Sequence, residues 1–125
     1  MIAGGRFGTN DLERAKPFYD AIAELTGAKL VMERPDLLAY QAEGSSIFLI
    51  GRPFAGGASA GNGNQLTIEA KSREMVDAVH AKAIELGGAD EGRPGIRGDD
   101  PDGFYGAYFR DLDGNKWVIY RFGPA

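Results

Sequence analysis

Residues 103–122 read GFYGAYFRDLDGNKWVIYRF, two runs of aromatic and β-branched residues on either side of Asp113-Gly114-Asn115. Glycine and asparagine tolerate the positive φ angles of a tight reversal, and an Asp or Asn side chain can bond its own backbone, so the stretch predicts a β-hairpin. An earlier stretch has the same order: Ala39-Tyr40-Gln41, then Glu43-Gly44-Ser45, then Ile47-Phe48-Leu49-Ile50. The chain therefore reads as a repeat.

Working outward, an offset of 61 residues lays Glu13 on Glu74, Glu24-Leu25 on Glu85-Leu86 and Gly27-Ala28 on Gly88-Ala89. The offset grows to 68 at Ala39-Tyr40 against Ala107-Tyr108 and to 70 at Phe48 against Val118, which places the extra residues in loops, where insertions cost little. The elements inside each half follow from their own patterns. Residues 2–9 form a first strand whose glycines at 4, 5 and 8 imply that something packs close to the backbone. A helix capped by Asn10 or Asp11 carries Leu12, Ala15, Phe18, Tyr19, Ile22 and Leu25 on one stripe and stops at Gly27. Strands are predicted at 28–32, 36–42 and 46–51, and the small-residue run PFAGGASAGNG at 53–63 reads as a linker. It has neither a Walker lysine nor a GxGxxG pattern. Residues 64–70 alternate as a half-buried strand. Ser72 caps a second helix closed by Gly87-Gly88, and residues 91–103 read as a loop. Each half is thus β-α-β-β-β, an α+β arrangement of two tandem modules, 1–53 and 64–125, joined by the linker 54–63. Together they are expected to form a curved mixed sheet with helices outside and a cup inside.

Composition narrows the function. A length of 125 residues supports one modest core. No apolar run approaches the roughly 18 residues of a membrane span, and no signal-peptide layout opens the sequence, so a cytoplasmic location is expected. The absence of cysteine excludes disulfides, thiolate nucleophiles and thiolate-ligated metals. A net charge of −4 argues against nucleic acid and anionic lipid as partners.

Three segments, GTNDLERAKPFYDAI (8–22), SREMVDAVHAKAIELGGA (72–89) and GFYGAYFRDLDGNKWVIY (103–120), resemble the vicinal oxygen chelate superfamily. That superfamily holds glyoxalases, extradiol dioxygenases and bleomycin- or fosfomycin-resistance proteins. The resemblance implies the glyoxalase/bleomycin resistance/dihydroxybiphenyl dioxygenase fold and, commonly, a homodimer. It also implies metal ligands on the first strand of each half and on the last strands. At those positions this chain has Gly4, Gln65, Phe48 and Val118, and their neighbours Ala3, Gly5, Ile47, Leu49, Trp117 and Ile119 offer no ligand either. One amide oxygen does not hold a divalent ion that takes about four to six donors, so the family metal is expected to be absent and no cofactor is expected.

Pleat alternation places Gln65, Thr67 and Glu69 in the cup, with Arg6 from the first strand and Phe48, Ile50, Val118, Tyr120 and Phe122 from the others. Aromatic walls with a few convergent polar groups describe a small-molecule pocket. The expected ligand-binding set is Arg6, Phe48, Gln65, Thr67, Glu69, Val118 and Tyr120: Arg6 clamping a carboxylate or phosphate, Gln65 bonding a carbonyl, Glu69 meeting a cation or acting as a base. Pairing of Arg6 with Glu69 is the structural alternative. His80, the only histidine, falls on the second helix and reads as a partly exposed helical residue. The leading expectation is a metal-independent small-molecule binder. The others are a glyoxalase-type lyase or dioxygenase with a displaced metal site, metal-free proton transfer by Glu69 or Tyr120, and an interaction module whose cup is filled by its own side chains.

Overall fold

A computed structural model describes residues 1–125. The first half runs β1 (Gly4–Gly8), α1 (Leu12–Thr26), β2 (Lys29–Arg34), β3 (Leu37–Gln41) and β4 (Ile47–Gly51). The second runs β5 (Leu66–Glu69), α2 (Arg73–Glu85), β6 (Ala89–Arg97), β7 (Phe104–Arg110) and β8 (Lys116–Phe122). The strands make two four-stranded mixed sheets, ordered β1-β4-β3-β2 and β5-β8-β7-β6. In each, the first strand of the half pairs parallel with the last and the remaining neighbours are antiparallel. The βαβββ repeat is therefore present twice.

Local chemistry sets the element ends. Asp11 caps α1 by accepting from Arg14 N at 3.0 Å, and Gly27 ends the helix at φ 80°. Ser72 caps α2 through Met75 N at 3.1 Å. The residues read as a loop at 91–103 belong in part to β6, which runs to Arg97. Gly92, Pro94 and Gly95 hide its strand character, and its pairing with β7 shifts register on both sides of Gly92, so the strand forms by lying against β7 rather than by propensity.

One core lies between the helices and the helix-facing sides of both sheets, holding Phe7, Phe18, Tyr19, Ile50, Val76, Val79, Phe109, Trp117 and Ile119 among others. The first-strand glycines do admit a close neighbour: a Cβ on Gly5 would strike the Leu66 side chain, and one on Gly8 would press on Ala58 of the linker. Asn10 clips that linker down, accepting from Ala58 N at 2.6 Å and donating to Ala58 O at 2.9 Å.

The face assignment of β4 needs correction. Gly5 pairs with Phe48 and Phe7 with Ile50, so Phe48 and Ile50 share the face of Phe7 and point to the helices, not into the cup. Ile50 is fully buried, and the Phe48 ring lies 5.0 Å from that of Tyr19 and 4.8 Å from that of Trp117. Phe48 is thus the counterpart of Trp117, an offset of 69 rather than 70, and a slip of one residue in a strand moves every side chain to the other face. Leu49 is the true partner of Val118: it pairs with Arg6 as Val118 pairs with Thr67.

Candidate functional site

The turn of the terminal hairpin locks the two halves together. Asp111 accepts from Asp113 N and Asn115 N through Oδ1, and from Asn115 Nδ2 and the Tyr19 hydroxyl through Oδ2. Tyr19 in turn accepts from Trp117 Nε1 at 3.0 Å, while Asn115 also donates to Gly8 O and Asp113 accepts from Asn10 N. Burial pushes the Asp111 carboxyl above the ordinary carboxylate range, opposed by its donors. Burial and the Asp111 charge raise Tyr19 well above a free phenol, so it stays protonated.

Beside this network opens a cleft of about 430 Å³ between α1, the β3–β4 hairpin and β5. Its floor is aromatic: Tyr19, Tyr40, Phe48 and Trp117. Thr67, Glu69 and Lys71 lie on the β5 side, and Gln41, Ser45 and Ser46 on the hairpin side. Neither Glu69 nor Lys71 has an ion-pair partner. Tyr40 donates to Asp20 Oδ1 at 2.7 Å, and its hydroxyl is driven far above its ordinary pKa by burial first and by that bond second. A second crevice, about 450 Å³, lies where β1 approaches β5 under the linker and is lined by Arg6 and Gln65 with Ser59, Asn64 and Lys116.

The seven expected ligand-binding residues are therefore divided. Phe48, Thr67 and Glu69 meet in the aromatic cleft, Phe48 reaching it from the core face. Arg6 and Gln65 meet in the crevice. Val118 and Tyr120 line neither: Val118 is buried between Thr67 and Tyr108 on the concave face, and Tyr120 stacks on Phe104 with centroids 5.1 Å apart. Arg6 does not pair with Glu69; it donates to Arg52 O at 2.7 Å. Sequence reasoning missed Tyr19, Tyr40, Trp117 and Lys71 in the cleft. The available signal was the polar-tipped aromatic Tyr19 on an otherwise apolar stripe. Trp117 lies on the helix-facing side of β8, opposite Val118 and Tyr120, as the alternation of that strand predicts.

His80 is buried rather than partly exposed, with Nε2 3.0 Å from Asp90 Oδ1, bridging α2 and β6. The Gly92 amide first and His80 second hold the Asp90 carboxyl below its usual range. Trp117 packs in the core. The residues at the family's ligand positions, Gly4, Gln65, Leu49 and Val118, do not fit a divalent ion, and nowhere do three His, Asp or Glu side chains converge to hold one.

Paired βαβββ halves, a shared core and a cleft between the halves define a protein of the vicinal oxygen chelate type. A model of the Glyoxalase/Bleomycin resistance protein/Dioxygenase superfamily matches residues 5–119, and the chain belongs to that superfamily. A glyoxalase/bleomycin resistance protein from Albidiferax ferrireducens T118 is 36% identical, with 97% of this chain and 98% of that one covered and a TM-score of 0.87. A glyoxalase-related enzyme from Fulvimarina pelagi (21%, 97% and 87% covered, TM-score 0.74) shares the fold. So does lactoylglutathione lyase from Agrobacterium tumefaciens (21%, 97% and 92% covered, TM-score 0.66). None of the curated proteins matches the sequence. No helix is long and apolar enough to cross a membrane.

Proposed function

We propose that this superfamily member binds a small, flat, partly aromatic molecule in the cleft between its halves, without the family metal and without metal-dependent turnover. The observation that carries the reading is the cleft itself. Four aromatic side chains form its floor, and the unpaired Glu69 and Lys71 stand on one side, the arrangement that buries a ring while fixing its polar substituents. Its volume of about 430 Å³ falls within the range of small-molecule sites, roughly 300–1,000 Å³. The hydroxyls of Tyr19 and Tyr40 already donate hydrogen bonds to Asp111 and Asp20, which favours binding over proton transfer at the floor.

Trp117 is the only tryptophan and lines the cleft, which makes its fluorescence a direct reporter. Titrating a panel of substituted aromatic acids and amines should quench or shift Trp117 emission saturably, and Glu69→Gln should weaken basic ligands relative to acidic ones. An emission spectrum untouched by every aromatic compound would sink the reading. A midpoint of thermal unfolding that rises with one added divalent metal would favour the lyase or dioxygenase alternative. The reading also includes a cytoplasmic location and a homodimer, the latter supported by Val31 and Met32, apolar and exposed on the edge strand β2, and checked by sedimentation equilibrium.

A further inference from the structure

The crevice between β1 and β5 has a chemistry opposite to that of the aromatic cleft. Two cations, Arg6 and Lys116, line it, and no carboxylate does. In a chain with net charge −4 that is a local reversal of sign. Neither cation makes an ion pair. Arg6 spends one N–H on Arg52 O and keeps the rest of its five donors, while Lys116 Nζ lies 5.4 Å from the Tyr108 ring centroid. The amides of Asn64 and Gln65 and the hydroxyl of Ser59 supply further donors around the same space. The linker closes over it through glycine: Gly63 holds φ 89°, and a Cβ on Gly61 would collide with the Asn64 amide. From these we infer that the crevice is a second binding site, for the anionic group of a small organic dianion such as a phosphate monoester or a dicarboxylate.

The volume supports an organic ligand rather than a bare ion, since about 450 Å³ is the scale of a small-molecule pocket. Arginine presents a planar fork to an oxyanion and lysine a point charge, and bonds in which both partners are charged are shorter and stronger than neutral ones. Most of the lining is polar, so a neutral aromatic ligand gains little there. The site stands apart from the aromatic cleft and does not depend on it.

The test is calorimetric titration of the whole chain with inorganic phosphate, glycerol phosphate and succinate, at ionic strength held constant with chloride. Saturable binding of one equivalent is expected for glycerol phosphate or succinate, and the stronger of the two identifies the anion class. Arg6→Gln and Lys116→Gln should each weaken it about tenfold or more, the loss expected for one charge-assisted bond. Lys29→Gln, which removes an equal charge from β2, should leave it unchanged. No saturable binding of any anion overturns the inference, as does affinity unchanged from the unsubstituted chain in the Arg6 and Lys116 variants or an equal loss in Lys29→Gln. If Arg6→Gln unfolds for want of its bond to Arg52, Arg6→Lys and Lys116→Gln decide. Trp117 emission, read in parallel, keeps the outcome separate from that of the aromatic cleft.

Discussion

Replacing Tyr19 by Phe removes a single oxygen and leaves the ring packed against Phe48 and Trp117. That oxygen serves two buried partners. Without it Trp117 Nε1 loses its acceptor and Asp111 loses one of four donors. A buried donor left unpaired costs about 1–3 kcal/mol and a hydrogen bond to a charged group is worth about 1.5–3 kcal/mol; sharing one hydroxyl, the two effects together should cost about 2–4 kcal/mol. For a chain of this size that lowers the thermal midpoint by about 4 °C per kcal/mol, or about 8–16 °C. The loss should also depend on pH. Burial holds the folded-state pKa of Asp111 above its unfolded value, so between the two values the folded chain binds more protons and stability falls as pH rises through that window. The Tyr19 hydroxyl favours the charged form. Its removal raises the folded-state pKa further, adding destabilisation above the window and little below it. Calorimetric unfolding of both proteins from acid to neutral pH measures this. A midpoint change under about 3 °C at neutral pH, or one constant across the titration of Asp111, would refute the keystone role of the network.

Two further outcomes test the packing. Ile50→Ala should cost about 2–5 kcal/mol in urea unfolding, as large-to-small changes in cores do, whereas Leu49→Ala, on the opposite face, should cost clearly less; equal losses would mean that β4 has been given the wrong phase. His80→Gln should raise the Asp90 pKa seen by NMR yet leave it below the ordinary carboxylate value, because the Gly92 amide still donates. A full return to the ordinary value would show His80 to be the larger cause.

Most of the architecture was legible because each signal was local and redundant: caps at Asp11 and Ser72, the Gly27 stop, the Asp113-Gly114-Asn115 turn and the alternation from Leu66 to Ile68 agree with one another. β6 escaped because a Gly- and Pro-containing strand is made by its neighbour. The sites were harder. The phase of β4 depends on the lengths of two loops, and Phe48 and Ile50 look equally at home on either face. The division of the candidate residues into an aromatic cleft and a cationic crevice follows from how the halves lie against each other, which no periodicity within one half encodes. Arg6 and Gln65 were recognised individually; Lys116 joined them only because β8 begins beside β1.

The bonds that close the hairpin turn onto the first half span nearly the whole chain, with Asn10 and Asp113 separated by 103 positions and Tyr19 and Asp111 by 92. Contacts so distant demand a large loss of chain entropy before they return anything, which slows folding. During synthesis the first half emerges with Phe7, Tyr19 and Phe48 still waiting for Trp117, and it must hold that sticky surface until β8 is made. The two halves repeat one pattern, yet they share a single core. Nascent chains stalled before residue 111 are therefore the species most exposed to aggregation and to capture by chaperones.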